Sequence, residues 1–278
     1  MSEILKIENL SKNFVKKSFF QSKTEIVTAS DNVSFSLKEN EILAIAGQSG
    51  SGKSTIARLI LRAIEPDSGK IFFEGDEVSD NSPGLKKLRM QCQMVYQDPY
   101  DSINPRMKIF DIINEPLEIH SIGTKESRKK MVLDALQQVK LEPTQDIAKK
   151  YPHMLSGGQR QRVVIARALV VKPKVIIADE PVSMLDVSIR VEILEIMSEI
   201  QKNNKISFIY ITHDLATAKY FASRILILYK GKIVEIGNVK DVLTEPKHPY
   251  TKALIDAISE PDPQNLYKEK KINWQIDR

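Results

Sequence analysis

Ile42-Leu43-Ala44-Ile45-Ala46-Gly47-Gln48-Ser49-Gly50-Ser51-Gly52-Lys53-Ser54-Thr55 joins a short apolar run to a glycine-rich turn and a helical pattern. The spacing is that of a phosphate-binding loop, with a strand over Ile42–Ala46 before it and a helix over Ser54–Ala63 after it. The glycines let backbone N–H groups turn toward phosphates. Lys53 brings a point charge to the β and γ oxygens, and the Ser54 hydroxyl suits Mg²⁺. Gly47, Gln48, Ser49, Gly50, Ser51, Gly52, Lys53, Ser54 and Thr55 are therefore the first candidate binding residues.

Further along, Leu155-Ser156-Gly157-Gly158-Gln159-Arg160-Gln161-Arg162 opens a second helix. Ser156 is a good N-cap, and Val163-Val164-Ile165-Ala166 continues as a buried helical face. A hydroxyl, two glycines and a helix N-terminus present free N–H groups and a partial positive charge, which suits a polyphosphate. Ser156, Gly157, Gly158 and Gln159 thus form a second candidate phosphate site. Val175-Ile176-Ile177-Ala178-Asp179-Glu180 is an apolar strand ending in two carboxylates. Alternation along a strand sends them to opposite faces and different tasks. Asp179 suits a metal-ordering role, and Glu180 suits the general base for an attacking water. His213 closes the next apolar strand, where a ring nitrogen is placed to hold a phosphate oxygen or that water.

The 278 residues carry 41 basic and 36 acidic side chains, a net charge of +5, and the cations are scattered apart from Lys16-Lys17, Lys129-Lys130 and Lys270-Lys271. Such scatter does not make a nucleic-acid surface. The single cysteine, Cys92, excludes internal disulfides and cysteine-based zinc or iron–sulfur sites. No apolar run approaches the ~20 residues that span a bilayer, and Met1-Ser2-Glu3-Ile4 lacks a signal peptide's basic start, so an intracellular protein is expected.

Apolar runs at Ile42–Ala46, Val175–Ala178, Ser207–Thr212 and Ile225–Tyr229 alternate with helical patterns, which predicts a mostly parallel sheet covered by helices. Ile4–Ile7 and Val33–Leu37 read as edge strands of an antiparallel flank around the polar stretch Lys16 to Ser30. Between Pro99 and Pro152 the strand signals vanish, and amphipathic segments at Ile109–Ile119 and Ser127–Val139 predict a helical insertion.

These motifs, in this order, resemble the nucleotide-binding subunits of ABC transporters over nearly the whole chain. The resemblance implies an α/β fold: a P-loop NTPase (RecA-like) core with an antiparallel β flank and a helical insertion over about 99–155. The ATPase domain would run over 1–250 and a C-terminal extension over 251–278. It implies Mg²⁺ and ATP as cofactors, two ATP molecules sandwiched head to tail between two subunits, and each nucleotide held between one P-loop and the partner's Ser156–Gln159. Gln97 is similar to the glutamine that reaches Mg²⁺ and links the ATP site to the membrane partner. Ser183-Met184-Leu185-Asp186 is similar to the D-loop, with Met184 in place of a commoner small residue. Phe14 is the candidate for stacking on adenine, with Phe19 and Phe20 as competitors.

Val95-Tyr96-Gln97-Asp98-Pro99-Tyr100-Asp101-Ser102-Ile103-Asn104-Pro105-Arg106, Tyr151-Pro152-His153 and Lys247-His248-Pro249-Tyr250-Thr251-Lys252-Ala253-Leu254 are similar to the ATP-binding subunits of oligopeptide, dipeptide and nickel importers. Some members carry a C-terminal iron–sulfur cluster, and without cysteines there this chain is expected to have none. The implied partners are a second ATPase subunit, two transmembrane permease subunits docked on the helical insertion and, indirectly, an extracytoplasmic substrate-binding protein. A heterodimer is expected in the cell, with a homodimer open for the isolated chain, at the cytoplasmic face of the membrane. The alternative is a soluble ABC-type ATPase of DNA repair or translation. This chain shows none of the features such proteins need: a long coiled coil between the two phosphate motifs, many cysteines, or two ATPase halves in one chain.

Overall fold

The computed structural model describes residues 2–17, 24–80 and 82–257. Two long strands, β1 (Glu3–Lys17) and β2 (Thr24–Lys38), pair antiparallel and lead into β3 (Ile42–Ala46) and the first helix, α1 (Lys53–Ile60). β4 (Ser68–Phe73), β5 (Asp76–Glu77), α2 (Pro83–Gln91) and β6 (Cys92–Val95) follow. The insertion holds α3 (Pro99–Ser102), α4 (Ile109–Ile119), α5 (Lys125–Gln138) and α6 (Thr144–Lys149). The chain then runs through α7 (Gly157–Leu169), β7 (Val175–Asp179), α8 (Val187–Asn204), β8 (Ser207–Thr212), α9 (Leu215–Phe221), β9 (Arg224–Tyr229), β10 (Lys232–Asn238), α10 (Val239–Thr244) and α11 (Pro249–Asp256).

The strands form two sheets. One is four-stranded and antiparallel in the order β2-β1-β4-β5; the other is six-stranded in the order β10-β9-β3-β8-β7-β6. In the larger sheet every pairing from β9 to β6 is parallel, and only β10 runs against its neighbour. Each residue of β3, β7 and β8 is buried, the pattern of a sheet covered on both faces.

Because side chains alternate along a strand, the sheet divides its residues between two cores. Ala44, Ala46, Ile176, Ala178, Phe208 and Tyr210 face the helical side, packed with residues of α4, α5, α7, α8 and α9. Leu43, Ile45, Val175, Ile177, Ile209 and Ile211 face the other way, against Ile56, Leu59 and Ile60 of α1 and the antiparallel sheet. Burying each such aliphatic side chain stabilises the fold by about 1.5–3 kcal/mol. The insertion is tied to α7, where Arg167 donates to the Ser102 carbonyl at 3.0 Å and to Glu115 at 2.6 Å. Arg160 lies over the Tyr100 ring at 4.2 Å.

Two expected boundaries need correction. The stretch from Lys16 to Ser30 is not simply a polar connection, because the flanking strands extend to Lys17 and restart at Thr24, with Phe14 opposite Val27. Backbone pairing in this arm does not depend on a buried face, since Val15, Ile26 and Val27 are exposed. The helix expected over Ser54–Ala63 ends at Ile60, and Arg62 adopts a left-handed φ of 52°. Phe19, Phe20, Lys270-Lys271 and most of the expected 251–278 extension lie outside the described residues.

Cys92, the only cysteine, is buried at the start of β6, and burial pushes its thiol pKa up because the thiolate cannot be solvated. In the folded chain we expect no detectable alkylation by iodoacetamide at pH 8, with full modification in guanidinium chloride. Rapid labelling of the native protein, followed by mass spectrometry, would contradict this packing.

Candidate functional site

Parallel pairing delivers the functional residues to one rim. Ala46 lies opposite Thr212, Asp179 opposite Ile211, and Val95 opposite Ala178, so Gly47, His213, Glu180 and Gln97 follow the C-terminal ends of neighbouring strands. The loop after β3 enters α1 through Gly52, whose φ of 105° and approach to the Ala29 carbonyl leave no room for a side chain: a Cβ there would lie 2.0 Å from the oxygen. The N–H groups of the first turn of α1 have no partners within the helix.

Lys53 is buried, and its ammonium donates to the Gly47 carbonyl at 2.8 Å and the Gln48 carbonyl at 2.9 Å. Burial lowers its pKa, against the opposing pull of Glu180 and Asp179. The Ser54 hydroxyl donates to Asp179 Oδ1 at 3.1 Å, and Asp179, only 8% exposed, has its pKa raised chiefly by desolvation. Glu180 receives Gln97 Nε2 at 3.3 Å and faces His213 Nδ1 at 2.9 Å. Gln97 also donates to Ser183 Oγ at 3.3 Å. The two neighbouring carboxylates do part company, but strand alternation is not the cause. β7 stops at Asp179, and Glu180 takes a left-handed φ of 46° while its N–H bonds to the Ile211 carbonyl at 2.9 Å.

A cleft of about 830 Å³ collects Gln48, Ser49, Gly50, Gly52, Lys53, Ser54, Thr55, Gln97, Glu180 and His213 with Phe14. Phe14 is 41% exposed, with the Lys12 ammonium 5.9 Å from its ring centroid. Asp179 sits just behind the lining through Ser54. Val27, Thr28 and Ala29 of β2 and Leu254 and Ala257 at the chain's other end complete the wall. Sequence reasoning missed all of these as cleft residues: Leu254 stood out only within the importer-like stretch, and nothing in the local pattern marks the others.

Ser156, Gly157, Gly158 and Gln159 do not line this cleft. They form the capped start of α7. Ser156 Oγ accepts from the Gln159 N–H at 3.3 Å, and Gln159 Oε1 accepts from the Ser156 N–H at 3.1 Å. A Cβ at Gly158 would stand 2.6 Å from Ile189 of α8, so glycine there permits close packing beneath the helix start. Among the described residues no cluster of three His, Cys, Asp or Glu side chains is arranged to hold a metal. Ser54, Gln97 and Asp179 are hard oxygen-bearing groups that fit a sparse Mg²⁺ site completed by phosphate oxygens and water.

Known proteins with similar sequences and folds point the same way. Residues 30–183 match the family model for ABC transporters, and residues 234–275 match that for the C-terminal region of oligopeptide/dipeptide transporters. A putative peptide import ATP-binding protein of Brucella ovis is 42% identical over 94% of this chain and 80% of its own length. The oligopeptide transport ATP-binding protein OppF of Bacillus subtilis is 41% identical over 99% of this chain and 88% of its own. The ATP-binding cassette MJ0796, solved as a dimer bound to ADP and Pi, is 30% identical with a TM-score of 0.73, covering 84% of this chain and 98% of that one. CbiO1 of Clostridium perfringens, part of an ABC transporter complex, is 30% identical with a TM-score of 0.76, covering 88% of this chain and 92% of that one.

Ser156→Ala removes the hydroxyl half of the α7 capping box and is expected to cost about 1 kcal/mol. For a chain of this size that lowers Tm by roughly 2–4 °C, measurable by differential scanning calorimetry. An unchanged Tm would mean that the cap contributes nothing to the fold.

Proposed function

The chain belongs to the ABC transporter family, and from that premise we propose that it hydrolyses ATP to power a membrane importer of oligopeptides or dipeptides. The observation that carries the proposal is the convergence of the phosphate loop, Asp179, Glu180, Gln97 and His213 on one cleft. The match of residues 234–275 to the peptide-transporter C-terminal region favours this over a soluble ATPase of repair or translation.

In this proposal the N–H groups of the loop and of the first turn of α1 bind the phosphates, and Lys53 turns from the loop carbonyls toward the β and γ oxygens. Ser54, Asp179 and Gln97 hold Mg²⁺, which supplies neutralising charge on the phosphate oxygens when bound. Glu180 accepts a proton from the attacking water, and His213, already beside that carboxylate, orients Glu180 and the γ-phosphate. Phe14 stacks on the adenine. Ser156–Gln159 lie outside the cleft, so they serve a nucleotide bound mainly by another subunit, and turnover requires two chains face to face. Met184, 59% exposed beside the helix starts, lies on that seam. The second ATPase subunit is a different chain in the cell, and the pair docks through the helical insertion on two permease subunits at the cytoplasmic face. The ATPase domain is assigned to 1–250 and the importer-type extension to 251–278.

Glu180→Gln is expected to cut phosphate release by about 10²- to 10⁴-fold while leaving ATP binding intact. The variant should elute as a dimer from sizing chromatography with ATP and as a monomer without it. Retained turnover would remove Glu180 from the base role. In the unsubstituted protein, activity per chain should fall as the protein is diluted below its dimerisation range, and a specific activity independent of concentration would sink the shared-site arrangement.

A further inference from the structure

α11 belongs to the segment that marks the peptide-importer resemblance, yet it is packed into the phosphate loop. Tyr250 is 2% exposed, and its phenolic oxygen accepts the backbone N–H of Gln48 at 3.1 Å, a contact between residues 202 positions apart. The ring lies against Tyr229 at the end of β9, centroid to centroid 4.2 Å. Burial raises the phenol's pKa, so the group at Gln48 is a neutral oxygen.

The helix is itself held in place. Glu235 of β10 accepts the N–H groups of Lys247 at 2.9 Å and His248 at 3.0 Å, and His248 Nδ1 caps the Tyr250 N–H at 3.1 Å. Leu254 and Ala257, further along, line the cleft itself. Gln48 is a sensitive point at which to hold the loop, because its carbonyl also receives the Lys53 ammonium at 2.9 Å. A second tether, from the Gly231 N–H to the Ser51 carbonyl at 2.9 Å, fixes the loop's other side and reaches Gln48 through the Ser51 N–H on its carbonyl at 3.2 Å, but it does not hold the Gln48 N–H.

We infer that Tyr250 is a positioning residue for the nucleotide site: through the Gln48 N–H, α11 fixes the phosphate loop in the shape that receives a polyphosphate. The inference rests on the proposed ATP site and adds α11 to it. In the empty protein a loop released from Tyr250 can turn the Gln48 N–H to water. With phosphates seated that escape closes, and the unpaired donor weakens binding.

The test compares Tyr250→Phe with the parent in the full chain. The ring and its packing on Tyr229 remain, and only the oxygen is lost. By titration calorimetry, ADP affinity should fall roughly tenfold, while adenosine, measured by competition, should change less than twofold. Hydrogen exchange should show the Gln48 amide protected in the parent and fast in the variant. ADP affinity within twofold of the parent would overturn the inference. So would an equal loss for adenosine, or a Gln48 amide that exchanges as fast in the parent. The exchange measurement on the parent decides the matter even if the variant folds poorly. A parent that binds no ADP would overturn the proposed function as well, so the two failures are distinguishable.

Discussion

The parallel pairing of β3, β8, β7 and β6 is the constraint from which the cleft follows. Four strands running in one direction with matched registers must end together, and whatever follows each strand meets at a single rim. Parallel strands need crossovers, and here their helices bury one face of the sheet and share the other with the antiparallel sheet. The fold therefore cannot keep its core and scatter its chemistry. A slip by one residue in β7 would exchange Ile176 and Ala178 with Ile177 between the two cores and carry Asp179 away from Ser54.

At that rim the charges are arranged around one buried cation. Lys53 is held by two carbonyls rather than by a carboxylate, and both Asp179 and Glu180 act on it through space. Carbonyl partners are neutral and exchange readily for charged oxygens, which suits an ammonium that must receive phosphates. Asp179 and Glu180 instead spend their hydrogen-bonding capacity on Ser54, Gln97 and His213. The site is a network of hydrogen bonds around the backbone of the phosphate loop.

What could be read in the sequence tracks how local each signal is. β3 and β8 match the apolar runs Ile42–Ala46 and Ser207–Thr212, and α4 matches Ile109–Ile119, because continuous or periodic burial leaves its mark residue by residue. The loop spacing, Glu180 and His213 could be picked out because each follows on an apolar run, and the structure brings them to one cleft. The arm of β1 and β2 was not, since its outer part pairs through the backbone with its apolar side chains left in solvent. The left-handed turn at Glu180 was hidden too, because it depends on a bond to β8. Tyr250 carried no local sign of its partner: a hydrogen bond across 202 positions exists only once the sheet has brought β3 and the chain's end together.

The starts of α1 and α7 differ in how completely each satisfies itself: Gly52 gives α1 no side-chain cap, and Ser156 gives α7 a capping box. At α7 the Ser156 and Gln159 side chains bond reciprocally, which occupies two donors of the helix start and leaves the N–H groups of Gly157 and Gly158 without partners in the helix. Gly158 sits against Ile189, and Gly157 lies near Leu185, so the start of α7 rests on the beginning of α8 and the loop before it. Met184 and Val187, close in the chain to Leu185 and Ile189, are exposed. The loop after β3, by contrast, is enclosed by β2, by the turn after β9 and by α11. The start of α7 is closed by its own side chains, whereas the loop after β3 is tied to three other elements, so two separate sets of contacts anchor them to the same packed core.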